Sequence, residues 1–205
     1  MRNPLSYQAT EFDCGPTALR NAVSFLYDRK DIHPEIIKFI NLYSMDCYNC
    51  DGEACKEGTS AIAMTFLANW LNQYGRMKKW PVRCEVLAPE EVFMGQNSRI
   101  VAALQQGGAA VLRVMLDCGH YILLTGAKGE TIEAFDPYFW PHDFKNAGIV
   151  NVPDQPDRAN RKIHWDVFNS EDTGHYNLGP VEKRECVLIF NPETRRDASA
   201  IEYTI

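Results

Sequence analysis

Helical spacing runs through the chain as far as residue 106, and strand patterning begins only after Gly107-Gly108. That order restricts the fold more than any other feature. Residues 16–29 place Ala18, Leu19, Ala22, Val23, Leu26 and Tyr27 at helical intervals, and Pro16 suits a first turn, where its missing N–H costs nothing. Residues 34–43 repeat the pattern behind Pro34. Residues 59–74 predict a third helix, capped by Thr59 or Ser60 and stopped by Gly75,. A fourth is predicted over 96–106. Then 109–116, 120–126, 130–136 and 185–190 read as strands,. Helices first and strands second predict an α+β fold, with an N-terminal helical half packed on a mainly antiparallel sheet. Residues 44–58 and 137–180 fit neither period; the second stretch, rich in Pro, Asn, Asp and Gly, predicts long ordered loops with one short helix.

Composition narrows the partners. At 205 residues and 45% hydrophobic, the chain can fill one well-sized core, so residues 1–205 are expected to form a single domain,. The net charge is −6 and no basic stripe interrupts it, which argues against nucleic acid as a partner,. The apolar stretches 109–116 and 121–127 are too short to span a bilayer, so no membrane partner is expected,. The first twenty residues hold Arg2, Gln8, Glu11, Asp13 and Arg20 and no signal-peptide stretch,. A cytoplasmic location is therefore expected, with the seven cysteines kept as thiols,.

One of those thiols is placed to react. Cys14 stands in Gln8-Ala-Thr-Glu-Phe-Asp-Cys-Gly-Pro-Thr, at the start of the first helix. Helix N–H groups and the dipole favour an anion there, so the thiol is expected to be acidified. Gly15 removes a side chain beside the sulfur, which would let a substrate backbone approach. Gln8 can return to the same spot and donate to an oxyanion, with the Cys14 backbone N–H as second donor. The segment fits equally well a small buried cysteine near a helix cap.

A nucleophilic thiol needs an imidazole, and the imidazole needs an orienting group. His120 opens an apolar strand in Cys118-Gly-His-Tyr-Ile-Leu-Leu, and Gly119 leaves space in front of it. His33 suits a solvated loop, and His142, His164 and His175 fall in the loop-rich segment. His175 repeats the Gly-His-Tyr triplet and is the reserve candidate. A three-residue hairpin loop, Ala127-Lys128-Gly129, would pair Gly126 with Glu130 and hence His120 with Asp136,. The two would then share a face, and Asp136 could hold the imidazole tautomer. A slip of one residue would separate them. A His–Asp pair that merely closes a hairpin is the competing account.

Gln8-x5-Cys14 with Asp13-Cys14-Gly15, then His120-Tyr121 opening an apolar strand, then Asp136-Pro137 after a hairpin, occur in an order that resembles the peptidase C39 family. The resemblance covers roughly residues 5–140 and implies a papain-like fold. It also implies Cys14 as nucleophile, His120 as general base and acid, Asp136 as orienter and Gln8 in the oxyanion hole. Members that process double-glycine leaders are often fused to a transporter. This chain has no membrane segment, and it carries a Cys-rich insertion and about 65 residues beyond Asp136-Pro137. It looks more like a free-standing member of that group, and the substrate does not carry over.

The insertion, Asp46-Cys47-Tyr-Asn-Cys50-Asp51-Gly-Glu-Ala-Cys55, holds three thiols. Zinc wants four ligands, and Cys84, Asp46 or Asp51 would have to complete the set. No second CxxC does so, and a reduced surface loop with no metal or other cofactor is expected. The aromatics of 138–144 can wall a groove or form a side cluster under a loop,. Trp70 and Trp80 suit the core, and Cys118 suits packing. The expected activity is a cysteine peptidase acting on a peptide or amide bond through a thioester. The same triad would also serve an acyltransferase or transamidase, and the same groove a non-catalytic peptide-binding module.

Overall fold

The computed structural model describes residues 3–153 and 155–194. Five helices, α1 (Cys14–Leu26), α2 (Pro34–Tyr43), α3 (Ala61–Lys78), α4 (Arg99–Gln105) and α5 (Trp165–Phe168), accompany seven strands. The strands are β1 (Arg83–Val86), β2 (Ala109–Leu116), β3 (Cys118–Lys128), β4 (Thr131–Phe135), β5 (Ile149–Asn151), β6 (Arg161–His164) and β7 (Cys186–Phe190). They form one sheet in the order β1-β7-β2-β3-β4-β6-β5, and every pairing is antiparallel. The fold is α+β.

The central strands are buried on both faces, and their side chains alternate between two cores. Ala109, Val111, Tyr121, Leu123, Phe135, Val187 and Ile189 face one way, into a core built with α1, α2 and α3. Ala110, Leu112, Val114, Ile122, Leu124, Ile132, Ala134 and Leu188 face the other, towards α4, α5 and the Tyr176–Leu178 segment.

Element starts obey local chemistry. Ser60 accepts from the Ala63 N–H and Ser98 from the Ile100 and Val101 N–H groups, so α3 and α4 each begin one residue after a serine cap,. The third helix does not stop at Gly75. It continues to Lys78 and ends through Lys79 in the left-handed region (φ 55°),. Gly75 serves packing instead: a Cβ there would lie 2.6 Å from Val82 and 2.8 Å from the Trp80 carbonyl. Pro16 is the third residue of α1, since the helix begins at Cys14 itself. The stretch 137–180 holds the one short helix expected there and two strands besides. It contributes β5, β6 and α5, and β1 also forms outside the expected strands.

The hairpin between β3 and β4 differs from the expected one. Its turn is the two residues Gly129-Glu130, because Lys128 pairs with Thr131. Counted from that turn alone, His120 and Asp136 would fall on opposite faces. A β-bulge at Thr125 restores the parity: Gly126 pairs with Glu133, but Leu124 pairs with Ala134 and Leu123 with Phe135,. Thr125 is held in the bulge by its hydroxyl, which donates to the Arg158 carbonyl at 2.8 Å. Gly126 accommodates the Glu133 carboxylate lying over it, where a Cβ would meet Oε2 at 2.8 Å. His120 is thus a diagonal neighbour of Asp136 and not its direct partner. Side chains of that reach meet readily along a diagonal.

Candidate active site

The structure brings Cys14, His120 and Asp136 together where β3 starts and β4 stops. His120 is 5% exposed and Asp136 is fully buried. Their Nε2 and Oδ1 atoms are 2.7 Å apart. The Cys14 thiol interacts with the same imidazole. Since Asp136 occupies Nε2, Nδ1 is the ring nitrogen left for the sulfur. Cys14 is the first residue of α1 and comes from the core beneath the helices, whereas His120 and Asp136 belong to the opposite row of side chains.

Electrostatics favour a charged ring. Burial alone would lower the His120 pKa, but the Asp136 carboxylate and its hydrogen bond override this, and the contact with Cys14 acts in the same direction,. The net shift is upward. Asp136 shows the converse: burial would raise its pKa, but His120 and the hydrogen bonds from Tyr176 and Tyr138 bring it below the ordinary value.

Asp136 is fixed from every side. Oδ1 also accepts from the Tyr138 N–H at 2.8 Å, and Oδ2 accepts from the Tyr176 hydroxyl at 2.6 Å. The Tyr176 oxygen accepts in turn from Arg161 Nε at 3.1 Å. Asn160 grips the backbone of Asp136 twice, accepting from its N–H and donating to its carbonyl, both at 2.8 Å. Arg161, only 4% exposed, donates to the Asn160 and Trp140 carbonyls and lies 5.5 Å above the Phe144 ring. Asn160, Arg161 and Tyr176 lay outside the sequence assignment. The repeated Gly-His-Tyr triplet pointed to their neighbourhood but to the wrong residue. His175 sits against Trp140 and Phe144, with Asp117 4.0 Å from its Nε2, while Tyr176 turns inward with φ +66°. A non-glycine residue in that region is strained, and strain of this kind gathers at functional sites.

Gln8 lies in the same neighbourhood. Its backbone N–H donates to the Pro137 carbonyl at 2.9 Å, which ties the segment before α1 to the end of β4. Its side-chain amide donates to the Thr10 carbonyl at 2.8 Å, and its Oε1 is buried without a hydrogen-bond partner. Asp13 does not cap α1 with its side chain. Its carboxylate accepts from Ala9 N, Thr10 N and Thr10 Oγ1, shaping the approach to Cys14.

Four expectations about neighbours are corrected. The space beside Gly15 is taken by Thr59, whose Oγ1 would stand 2.3 Å from a Cβ at that position, so it is not an opening for substrate. The space beside Gly119 is taken by the Arg113 guanidinium, 2.2 Å from a Cβ there. Arg113 lies 3.6 Å from Glu185, which also accepts from the Tyr121 hydroxyl. Cys118 is exposed and packs no core. His33, expected in solvent, is partly covered and has its Nδ1 2.8 Å from the Tyr74 hydroxyl. Trp80 is buried and Trp70 packs against the first core. Among the described residues, no three His, Cys, Asp or Glu side chains are gathered to hold a metal ion, and no helix is long and apolar enough to cross a membrane. A cleft of about 900 Å³ lined by Tyr27, His33, Trp80 and Thr125 contains none of Gln8, Cys14, His120 or Asp136.

Compared with protein-family models and with curated proteins, the chain matches none.

Proposed function

We propose that this chain is a papain-like cysteine hydrolase, a peptidase acting on a peptide or amide bond. The observation that carries the reading is the buried His120–Asp136 pair at 2.7 Å, with the Cys14 thiol on the same imidazole at the first residue of α1. A hairpin-closing pair would need no thiol, and a structural cysteine would need no oriented, charge-stabilised imidazole.

In this mechanism the Cys14 proton passes to His120 before attack, and the sulfur meets the substrate carbonyl as a thiolate beside the imidazolium. Asp136 holds the ring and stabilises its cationic form without itself being protonated. The N-terminal N–H groups of α1 face the developing oxyanion, and the Gln8 amide is the candidate second donor. Its present bond to Thr10 leaves one of its two N–H groups for that role,. His120 then protonates the leaving amine, and water hydrolyses the thioester. Transfer to an amine would use the same groups. The exposed aromatics Tyr7 and Phe139, edge-on at 5.4 Å, stand one residue before Gln8 and two after Pro137, and favour an extended peptide substrate with an apolar side chain.

The test is labelling with a peptidyl vinyl sulfone at mildly acidic pH, followed by mapping of the adduct. Cys14 should carry the label. Cys84 and Cys186 should not, because burial raises both thiols, Cys84 to about 12. Uniform labelling of the exposed Cys50, Cys55 and Cys118, with Cys14 spared, would refute the assignment.

A further inference from the structure

The Cys-rich segment is a small hairpin laid against the nucleophile loop. Tyr48 bridges Ala54 in antiparallel fashion, with Cys55 N donating to Cys47 O at 3.0 Å and Asn49 N to Glu53 O at 3.1 Å. Cys47 and Cys55 are therefore cross-strand neighbours in the same ladder. Opposed residues of this kind have Cα atoms about 5.5 Å apart, inside the range a disulfide spans. Cys47 Sγ donates to Asp46 Oδ1 at 3.6 Å and Cys55 Sγ to the Met45 carbonyl at 3.4 Å, so both thiols lie along the same two-residue stretch. Cys50 sits outside this arrangement, at the turn that Asn49 and Gly52 close. Cys55 has φ +63°, a strained conformation for a residue with a side chain,.

The far end of the hairpin reaches the site. Asp46 accepts from the backbone N–H and the hydroxyl of Ser60, the cap of α3. Thr59, next in line, packs on Gly15, and Lys56 lies 5.6 Å above the Phe12 ring. Phe12 and Gly15 flank Cys14.

From this we infer that Cys47 and Cys55 are a redox couple, closing a cross-strand disulfide that staples the wall beside Cys14. The staple does not depend on the peptidase reading; only a bearing on turnover would rest on it. The oxidant is a low-molecular-weight disulfide. The exposed Cys55 thiolate attacks one of its sulfurs, and the first small thiolate leaves. Cys47 then attacks Cys55 Sγ in the mixed disulfide, and the second leaves. The protein loses two electrons and two protons, and the small disulfide becomes two thiols. Burial and the adjacent Asp46 carboxylate raise the Cys47 thiol, so Cys47 is assigned the second attack and not the first,. Closure replaces both thiol hydrogen bonds and leaves the Asp46–Ser60 contacts in place.

The experiment uses the full chain in buffers of oxidised and reduced glutathione, quenched by alkylation. Cleavage after Tyr48 and before Asp51 puts Cys47, Cys50 and Cys55 on separate peptides. The expected result is a Cys47–Cys55 link, with Cys50 alkylated. Dithiothreitol should reverse it. The oxidised form should melt higher by a shift on the order of 5 °C, since the bridge closes a short loop. Cys50→Ser should leave the link and the shift intact, whereas Cys47→Ser and Cys55→Ser should each abolish both. A Cys47–Cys50 or Cys50–Cys55 bridge, or no bridge in oxidised glutathione, would overturn the inference. Vinyl sulfone labelling of Cys14, measured on the same samples, separates its failure from that of the peptidase reading.

Discussion

Cys14 stands between two walls of opposite construction. On one side, the end of the sheet buries a carboxylate, an imidazole, a phenol and a guanidinium in a single chain, with Asp136 receiving three side-chain or backbone donors. On the other, the hairpin of residues 45–60 is largely exposed and satisfies its polar groups locally, through Asn49, Asp46 and Ser60. The first wall cannot lose Asp136 or His120 without leaving a buried charge unpaired. The second can be altered piece by piece. Rigidity is thus concentrated on the side that must hold an imidazole in one orientation, and adjustability on the side that can face a substrate or a redox partner.

The comparison is tested most severely at its stiff side. Asp136→Ala should slow Cys14 labelling by about 10²–10⁴-fold, because the ring loses its tautomer and its counter-charge. It should also cost about 3–5 kcal/mol of stability, the penalty for breaking a buried ionic pair, read from denaturant melts. A variant that melts like the parent would show that the wall is not over-determined.

Tyr176→Phe keeps the ring and removes only the hydroxyl on Asp136. The loss of a hydrogen bond to a charged group should cost about 2 kcal/mol. Labelling should slow by roughly thirtyfold, about the same energy expressed as a rate, and its pH profile should shift as the His120–Asp136 pair loosens. A loss of stability with an unchanged profile would make Tyr176 a packing residue only.

The pH dependence of stability follows from the same pair. His120 is raised, so its contribution is complete below the ordinary histidine value of about 6.5 and fades as pH climbs through the raised value,. Asp136 is lowered, so its contribution is present above the ordinary carboxylate value and fades as pH falls through the depressed one,. The melting temperature should therefore fall towards both extremes, and Asp136→Ala should flatten both limbs. Equal slopes in parent and variant would remove the pair from the account.

The soft side should respond least. Ser60→Ala removes the cap of α3 and one Asp46 contact, and should cost about 1 kcal/mol with less than a threefold change in Cys14 labelling. A change as large as that for Tyr176→Phe would mean that the two walls are mechanically one.

How much of this was legible in the sequence depended on how local the cause was. The Pro34–Tyr43 helix and the 109–116 strand agree with the structure at both ends, since a proline start and unbroken periodicity act within a few residues. Cys14, His120 and Asp136 were assigned together and are together. The register used to connect the last two was displaced by two residues, and it kept the right face because of a bulge that no turn rule announces. Asn160, Arg161 and Tyr176 were out of reach. Their roles come from chain returning to the sheet 24 to 40 residues after Asp136, and the strand β6 that carries Arg161 is only four residues long. Gly15 and Gly119 were read as openings, but the space beside them is filled by Thr59 and Arg113.

The bulge at Thr125 has a consequence for how this chain can change in length. Along β3 the inward positions are even-numbered up to Leu124 and odd-numbered from Ala127, which packs into the same core. The strand therefore carries a phase break, and the turn and the His120 end are written in different frames. Deleting Thr125 alone would merge the frames: the Leu124–Ala134 and Gly126–Glu133 pairs would become consecutive, and His120 would keep its face and its diagonal to Asp136,. Descendants of this sequence can accordingly lose Thr125 alone and keep both the sheet and the site, because that residue is the one the ladder leaves unpaired.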